Sequence, residues 1–140
     1  MKTSKSTRGE LERSLTQRIQ ALYFEELGKR PNKVTCQFFD EKLAIVLEEI
    51  LTRSEEFLLA NDCVTLVEEM RSQIDEVMKP QLANLIQEIV GVTVSSVLTD
   101  TDLNTKTSGI IALLHETPPV RDAESIPKSK KSKEISANSD

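Results

Sequence analysis

Histidine and clustered carboxylates carry most acid–base chemistry in proteins, and this chain of 140 residues has one histidine and four adjacent glutamate pairs. His115 is followed by Glu116 and then by the break Thr117-Pro118-Pro119. A catalytic triad or a metal site needs a nucleophile or further ligands beside the imidazole. The spacing supplies none, so His115 reads as an ordinary strand-end residue. The glutamate pairs 25/26, 48/49, 55/56 and 68/69 fall on neighbouring positions. Neighbours diverge by about 100° on a helix and about 180° on a strand. Such carboxylates do not share a proton; they form solvated faces. Cys36 and Cys63 stand 27 positions apart with no CxxC and no Cys/His cluster, which argues against zinc. Cys36 reads as a small core residue. Gly9, Gly28, Gly91 and Gly109 are scattered, so no phosphate-cradling loop is present. The expectation is a protein without a catalytic set, a cofactor or a metal.

Two features stand above this background. Lys29-Arg30 lies just past a helix end beside a proline turn. Cations there complement the negative end of the helix dipole, worth a few tenths of a kcal/mol to about 1, and the functional alternative is a contact with an anion or a partner. Arg71 follows Met70 in an apolar-striped helix. It is expected to border the core and pair with an acid such as Glu55 or Asp100; the functional alternative is that it faces a pocket. A buried arginine deprived of its partner costs several kcal/mol.

The elements that position these residues follow from periodicity. Leu11, Leu15, Ile19, Leu22, Tyr23 and Leu27 fall at helical spacing. Thr7 and Glu10 have capping-box spacing, Gly28 suits the left-handed position after the helix, and Pro31 prevents continuation. Val34–Phe39 and Leu43–Leu47 read as strands of an antiparallel hairpin turning at Asp40–Lys42. Neither alternates cleanly: Phe38 and Phe39 point to opposite faces, as do Ile45 and Val46. The sheet is therefore expected to hide part of both faces, one under helices and the other under a second copy of the chain. Thr52 and Glu55 form a second capping box, opening a short helix to about Ala60 that buries Phe57 and Leu58. Val64, Val67, Met70, Ile74, Val77 and Met78 mark a long helix, which Pro80 is expected to kink or restart. Leu82, Leu85, Ile86, Ile89 and Val90 continue the stripe to Gly91, a second left-handed cap. Val92–Thr99 and Ser108–Leu114 complete the strands, joined by a polar loop over Asp100–Lys106.

The order of these landmarks resembles a bacterial family. They are Gly9-Glu10-Leu11-Glu12, Leu27-Gly28-Lys29-Arg30-Pro31, Leu51-Thr52-Arg53-Ser54-Glu55, Leu66-Val67-Glu68-Glu69-Met70-Arg71, Lys79-Pro80-Gln81-Leu82 and Ile89-Val90-Gly91-Val92-Thr93-Val94, with Asp100 after them. In this order and at this spacing they are similar to the MpsC-like domain, named after a sodium-translocating, membrane-potential-generating system. The resemblance covers roughly Thr7–His115. The family often reads Gly-Arg-Gly-Pro where this chain has Gly28-Lys29-Arg30-Pro31, and commonly has Thr where Val90 stands; neither departure disturbs the caps. The resemblance implies a link to ion or bicarbonate transport, as an accessory or regulator.

Composition sets the remaining bounds. The net charge is −5, with 38% hydrophobic and 4% aromatic residues, enough apolar material for one modest core. The acids concentrate between Thr7 and Glu116, and an acidic body argues against a nucleic-acid partner. The run Lys128-Ser-Lys-Lys-Ser-Lys133 reads as a solubilising tail rather than a polyanion contact. No apolar stretch spans a bilayer, no signal peptide opens the chain, and two lone thiols fit a reducing compartment, so a cytoplasmic protein is expected. The fold expected is α+β: a two-layer sandwich in the order α-β-β-α-α-β-β, with a four-stranded, mainly antiparallel sheet and helices on one face. Residues 1–6 are expected to be a flexible N-terminus, 7–116 a single domain, and 117–140 a disordered charged tail. Functionally, the chain reads as a non-enzymatic homodimeric interaction or accessory domain with an unidentified protein partner. The alternatives are a sensor holding a small anion near Arg30 or Arg71, and an enzyme of unfamiliar type.

Overall fold

The structure is a computed structural model describing residues 5–129. Helix α1 (Arg8–Leu27) is followed by strands β1 (Lys33–Phe39) and β2 (Lys42–Glu48), helices α2 (Arg53–Ala60) and α3 (Val64–Val90), and strands β3 (Val94–Asp102) and β4 (Thr107–Leu114). The four strands form one antiparallel sheet in the order β1-β2-β4-β3. This is the α+β order and sheet expected from the sequence.

The caps place the helices. Thr7 Oγ1 accepts from the Glu10 amide while the Glu10 carboxylate accepts from the Thr7 amide, and Thr52 and Glu55 repeat the arrangement at α2. Each box satisfies two amide groups that a helix start would otherwise leave unpaired. Gly28 and Gly91 close α1 and α3 in the left-handed region, at φ 75° and 83°. A side chain at Gly28 would meet no neighbour within 4 Å, so only backbone strain opposes it. Gly28→Ala is therefore expected to lower unfolding stability by roughly 1–2 kcal/mol, read by urea denaturation. Gly9, in the first turn of α1 and equally uncrowded, is expected to gain up to about 1 kcal/mol as alanine.

The core lies between the helices and one face of the sheet. Val34, Cys36 and Phe38 of β1, Leu43, Ile45 and Leu47 of β2, and Ile110, Ala112 and Leu114 of β4 point inward. They meet Leu11, Leu15, Ile19 and Tyr23 of α1 and Met78, Leu82, Leu85, Ile86 and Val90 of α3. Burial thus alternates with the pleat, although the apolar residues do not. Phe38 and Ile45 are enclosed; their neighbours Phe39 and Val46 lie on the other face. The free edge of β1 is blunted, because the Glu12 carboxylate accepts from the Phe38 amide at 3.0 Å.

Several sequence expectations need correction. α3 runs through Pro80 as one helix, because Met78 and Leu82 on either side are both anchored in the core. Phe57 is 68% exposed rather than buried: α2 turns Glu55 inward instead, and Leu59 supplies its apolar contact. β3 extends to Asp102, three residues past the expected end, because its pairing with β4 continues to Thr107; the connection shortens to residues 103–106. The largest correction concerns the C-terminal segment. Thr117–Ser129 is packed, not disordered. Val120 and Ile126 enter the core, a 3₁₀ turn covers Ala123–Ser125, and the Asp40 amide donates to the Pro127 carbonyl at 2.9 Å. The Asp122 carboxylate accepts from the Arg8 amide, and the Arg121 amide donates to the Ser6 carbonyl. Two apolar residues among many polar ones join the core here, while hydrogen bonds tie the segment to the start of α1 and to the turn of the first hairpin. The rest of the expected tail, 130–140, and residues 1–4 of the expected flexible N-terminus lie outside the described residues.

Candidate functional site

A polar cleft opens where the start of α3 meets the end of β3. Val64, Glu68, Arg71, Ser72 and Asp75 of α3 form one wall, and Asp100–Asn104 the other, around about 350 Å³. The i, i+4 spacing of Arg71 and Asp75 puts both on one side of the helix, and both are buried.

Arg71 is 2% exposed and anchors this region. Its Nη2 donates to the Ile50 carbonyl at 2.8 Å, tying α3 to the end of the first hairpin. Its Nε lies 3.4 Å from Glu55 Oε2 without hydrogen-bond alignment, and Glu55 is itself fully enclosed. Glu55 Oε1 serves the α2 cap at the same time, accepting from the Thr52 amide and hydroxyl. The pairing with Glu55 is one the sequence had offered, and Arg71 lines the cleft as well. Nη1 of Arg71 has neither a hydrogen-bond partner nor contact with solvent.

Across the cleft, the Thr101 hydroxyl donates to Asp75 Oδ2 at 2.9 Å and meets the Ser108 hydroxyl at 2.6 Å. Burial pushes the Asp75 carboxyl above its usual range; the Thr101 hydrogen bond and the Arg71 charge oppose that push, and the Asp100 and Glu55 charges add to it. The folded chain therefore holds a proton on Asp75 at pH values where the unfolded chain has lost it, and stability falls as pH rises through that window. Asp75→Asn keeps an oxygen for Thr101 and removes the buried charge. The variant is expected to be more stable than the parent at neutral pH. The gain should shrink as pH falls through that window and level off below the ordinary aspartate value, measured by urea unfolding across pH. Tyr23 and Cys36 are likewise raised by burial, the thiol to about 11, so Cys36 is an inert core residue at neutral pH.

The other expected contact residues lie elsewhere. Arg30 stacks over the Phe24 ring at 5.4 Å, and Lys29 borders a shallow depression with Leu51, Arg53, Glu56 and Phe57. The structure thus separates Lys29 and Arg30 from Arg71; they do not form one anion site. His115 is exposed at the end of β4, its amide donating to the Thr93 carbonyl. Among the described residues no group of three or more His, Cys, Asp or Glu is arranged for a metal.

The outer face of the sheet is the second candidate surface. Cross-strand register sets Gln37, Ala44, Ile111 and Leu98 in one row, Thr35, Val46, Gly109 and Asp100 in the next, and Phe39, Lys42, Leu113 and Ser96 in the row before, so an apolar centre is bordered by polar residues. Leu98 is 53% exposed and Val46 39% exposed. No described helix covers this face, since α1 and α3 both pack on the inner side with the core. Lys42 marks one end of the apolar rows, and Lys33, Glu48 and Asp102 mark the other.

The family model described as "Na+-translocating membrane potential-generating system (MpsC)" matches residues 7–116. The chain belongs to the MpsC family. The match contains every helix and strand and both candidate surfaces, and stops before the packed segment that carries Val120 and Ile126. No curated protein and no solved structure matches this MpsC chain. Among its described residues no helix is long and apolar enough to cross a membrane. Sequence reasoning singled out Arg71 in this MpsC domain but passed over Asp75, Thr101 and Ser108. The i, i+4 relation of Arg71 and Asp75 was the available signal; the threonine and serine depend on strand register, which no local pattern discloses.

Proposed function

We propose that this MpsC chain is a non-enzymatic interaction domain that pairs with a second copy of itself through the outer sheet face and serves as an accessory to a membrane ion-transport system. The observation that carries the reading is the uncovered apolar surface of Ala44, Val46, Leu98, Ile111 and Leu113. Contiguous apolar surface rimmed by polar residues marks interaction sites. The charge arrangement favours a second copy as the occupant. A two-fold axis through the apolar rows sets the Lys42 end of one copy against the other copy's far end, where Glu48 and Asp102 outnumber Lys33, and back again. The blunted β1 edge argues against adding a strand on that side of the sheet. The transport link rests on the family description, and the accessory role on the absence of a membrane-crossing helix among the described residues.

Leu98→Glu places a charge on the most exposed apolar residue of this face, on its edge strand β3, without touching the core. Light scattering is expected to show it as a monomer while Val77→Glu, on an exposed position of α3, keeps the parent mass. Equal masses for the parent and Leu98→Glu would remove the reading.

A further inference from the structure

We infer that the cleft between α3 and β3 binds a small zwitterion of the α-amino-acid type, its carboxylate toward Arg71 and its ammonium toward Asp75. The two opposite charges line one cavity a helical turn apart, yet the ion pair of Arg71 is made with Glu55, not with Asp75. Arginine presents five donors. Here one of the terminal nitrogens serves Ile50, and the other, Nη1, is enclosed with no acceptor at all. A buried donor of that kind normally has a partner, and a ligand carboxylate held against the Arg71 wall supplies one. Nη1 itself is enclosed, so the ligand carboxylate reaches it only when part of the cleft wall moves aside.

The rest of the lining fits the other half of the ligand. Glu55 already offsets the Arg71 charge, which leaves Glu68, Asp75 and Asp100 as an acidic excess around the cavity. That excess repels a simple anion and favours a ligand that brings a cationic group with its carboxylate. These acids do not assemble into a metal site among the described residues. Val64 and Leu103 add apolar wall, which suits an aliphatic side chain. The volume of about 350 Å³ falls in the range of small-molecule sites.

Isothermal titration of the full chain with L-leucine tests this, with isovalerate and isoamylamine as the halves that carry one charge each. Leucine is expected to bind in the roughly millimolar range or tighter, and each half about tenfold or more weakly. Asp75→Asn, which is expected to fold at least as stably as the parent, should weaken leucine by about tenfold and bind isovalerate no more weakly than the parent does. Absence of leucine binding overturns the inference. So does isoamylamine or isovalerate binding as tightly as leucine, or an Asp75→Asn protein that binds leucine like the parent.

Discussion

Glu55→Ala is expected to lower the unfolding free energy by about 3–5 kcal/mol, the cost typical of removing one partner of a buried ion pair. The substitution acts twice. It strips the Arg71 guanidinium, 2% exposed, of its only charged partner among the described residues. It also removes the carboxylate oxygen that accepts from the Thr52 amide at 2.8 Å and so unties the start of α2. Loss of a capping side chain alone costs about 1 kcal/mol, so the larger part comes from the orphaned charge. The comparison that separates these contributions is Thr52→Ala, which disturbs the cap and leaves the pair in place. The double replacement Glu55→Leu with Arg71→Met should recover much of the loss, because apolar residues of similar volume can stand in for a buried pair. Urea unfolding of the three variants reads the outcome. A Glu55→Ala protein within about 0.5 kcal/mol of the parent would place the pair at the surface.

Ile126→Ala is expected to cost about 2–5 kcal/mol, the range for emptying a fully packed isoleucine site. Ile126 is 1% exposed and belongs to the same core as Phe38 and Leu15, although it lies ten residues beyond the end of the family match. Its neighbours Pro127 and Ser129 tie the segment to the Asp40 turn through two hydrogen bonds. Denaturant unfolding of the variant gives the value directly. A change of under about 0.5 kcal/mol, the usual effect of a surface substitution, would mean that the segment does not belong to the folded unit.

These two residues mark what the sequence discloses and what it hides. Thr7, Gly28, Thr52, Glu55 and Gly91 were readable because capping is local: a side chain satisfies amides within three positions of itself, or a glycine takes a backbone angle that other residues avoid. The hairpins were readable for the same reason, with polar turns between apolar runs. Ile126 was not, because the Asp40 turn to which its segment is tied is more than eighty residues away and its own neighbours are lysine, serine and proline. Phe57 misled because an aromatic at helical spacing suggests a buried position, whereas the second capping box spends the inward position of α2 on Glu55. Arg71 was half legible. Its place beside the core follows from the apolar stripe of α3, but the cleft it borders depends on where β3 ends, and β3 ends where β4 stops pairing with it.

The outer sheet face was legible in a different way. Phe38-Phe39 and Ile45-Val46 put apolar side chains on both sides of a pleat, so one of each pair had to face away from the helices. The register then gathers those leftovers, with Ile111 and Leu98, into a single patch. The account turns on whether a second copy covers that patch. Sedimentation equilibrium of the full chain at micromolar concentration is the direct measurement. The prediction is a species of twice the 15.7 kDa chain mass that persists on dilution through the micromolar range; a species of 15.7 kDa throughout would contradict it.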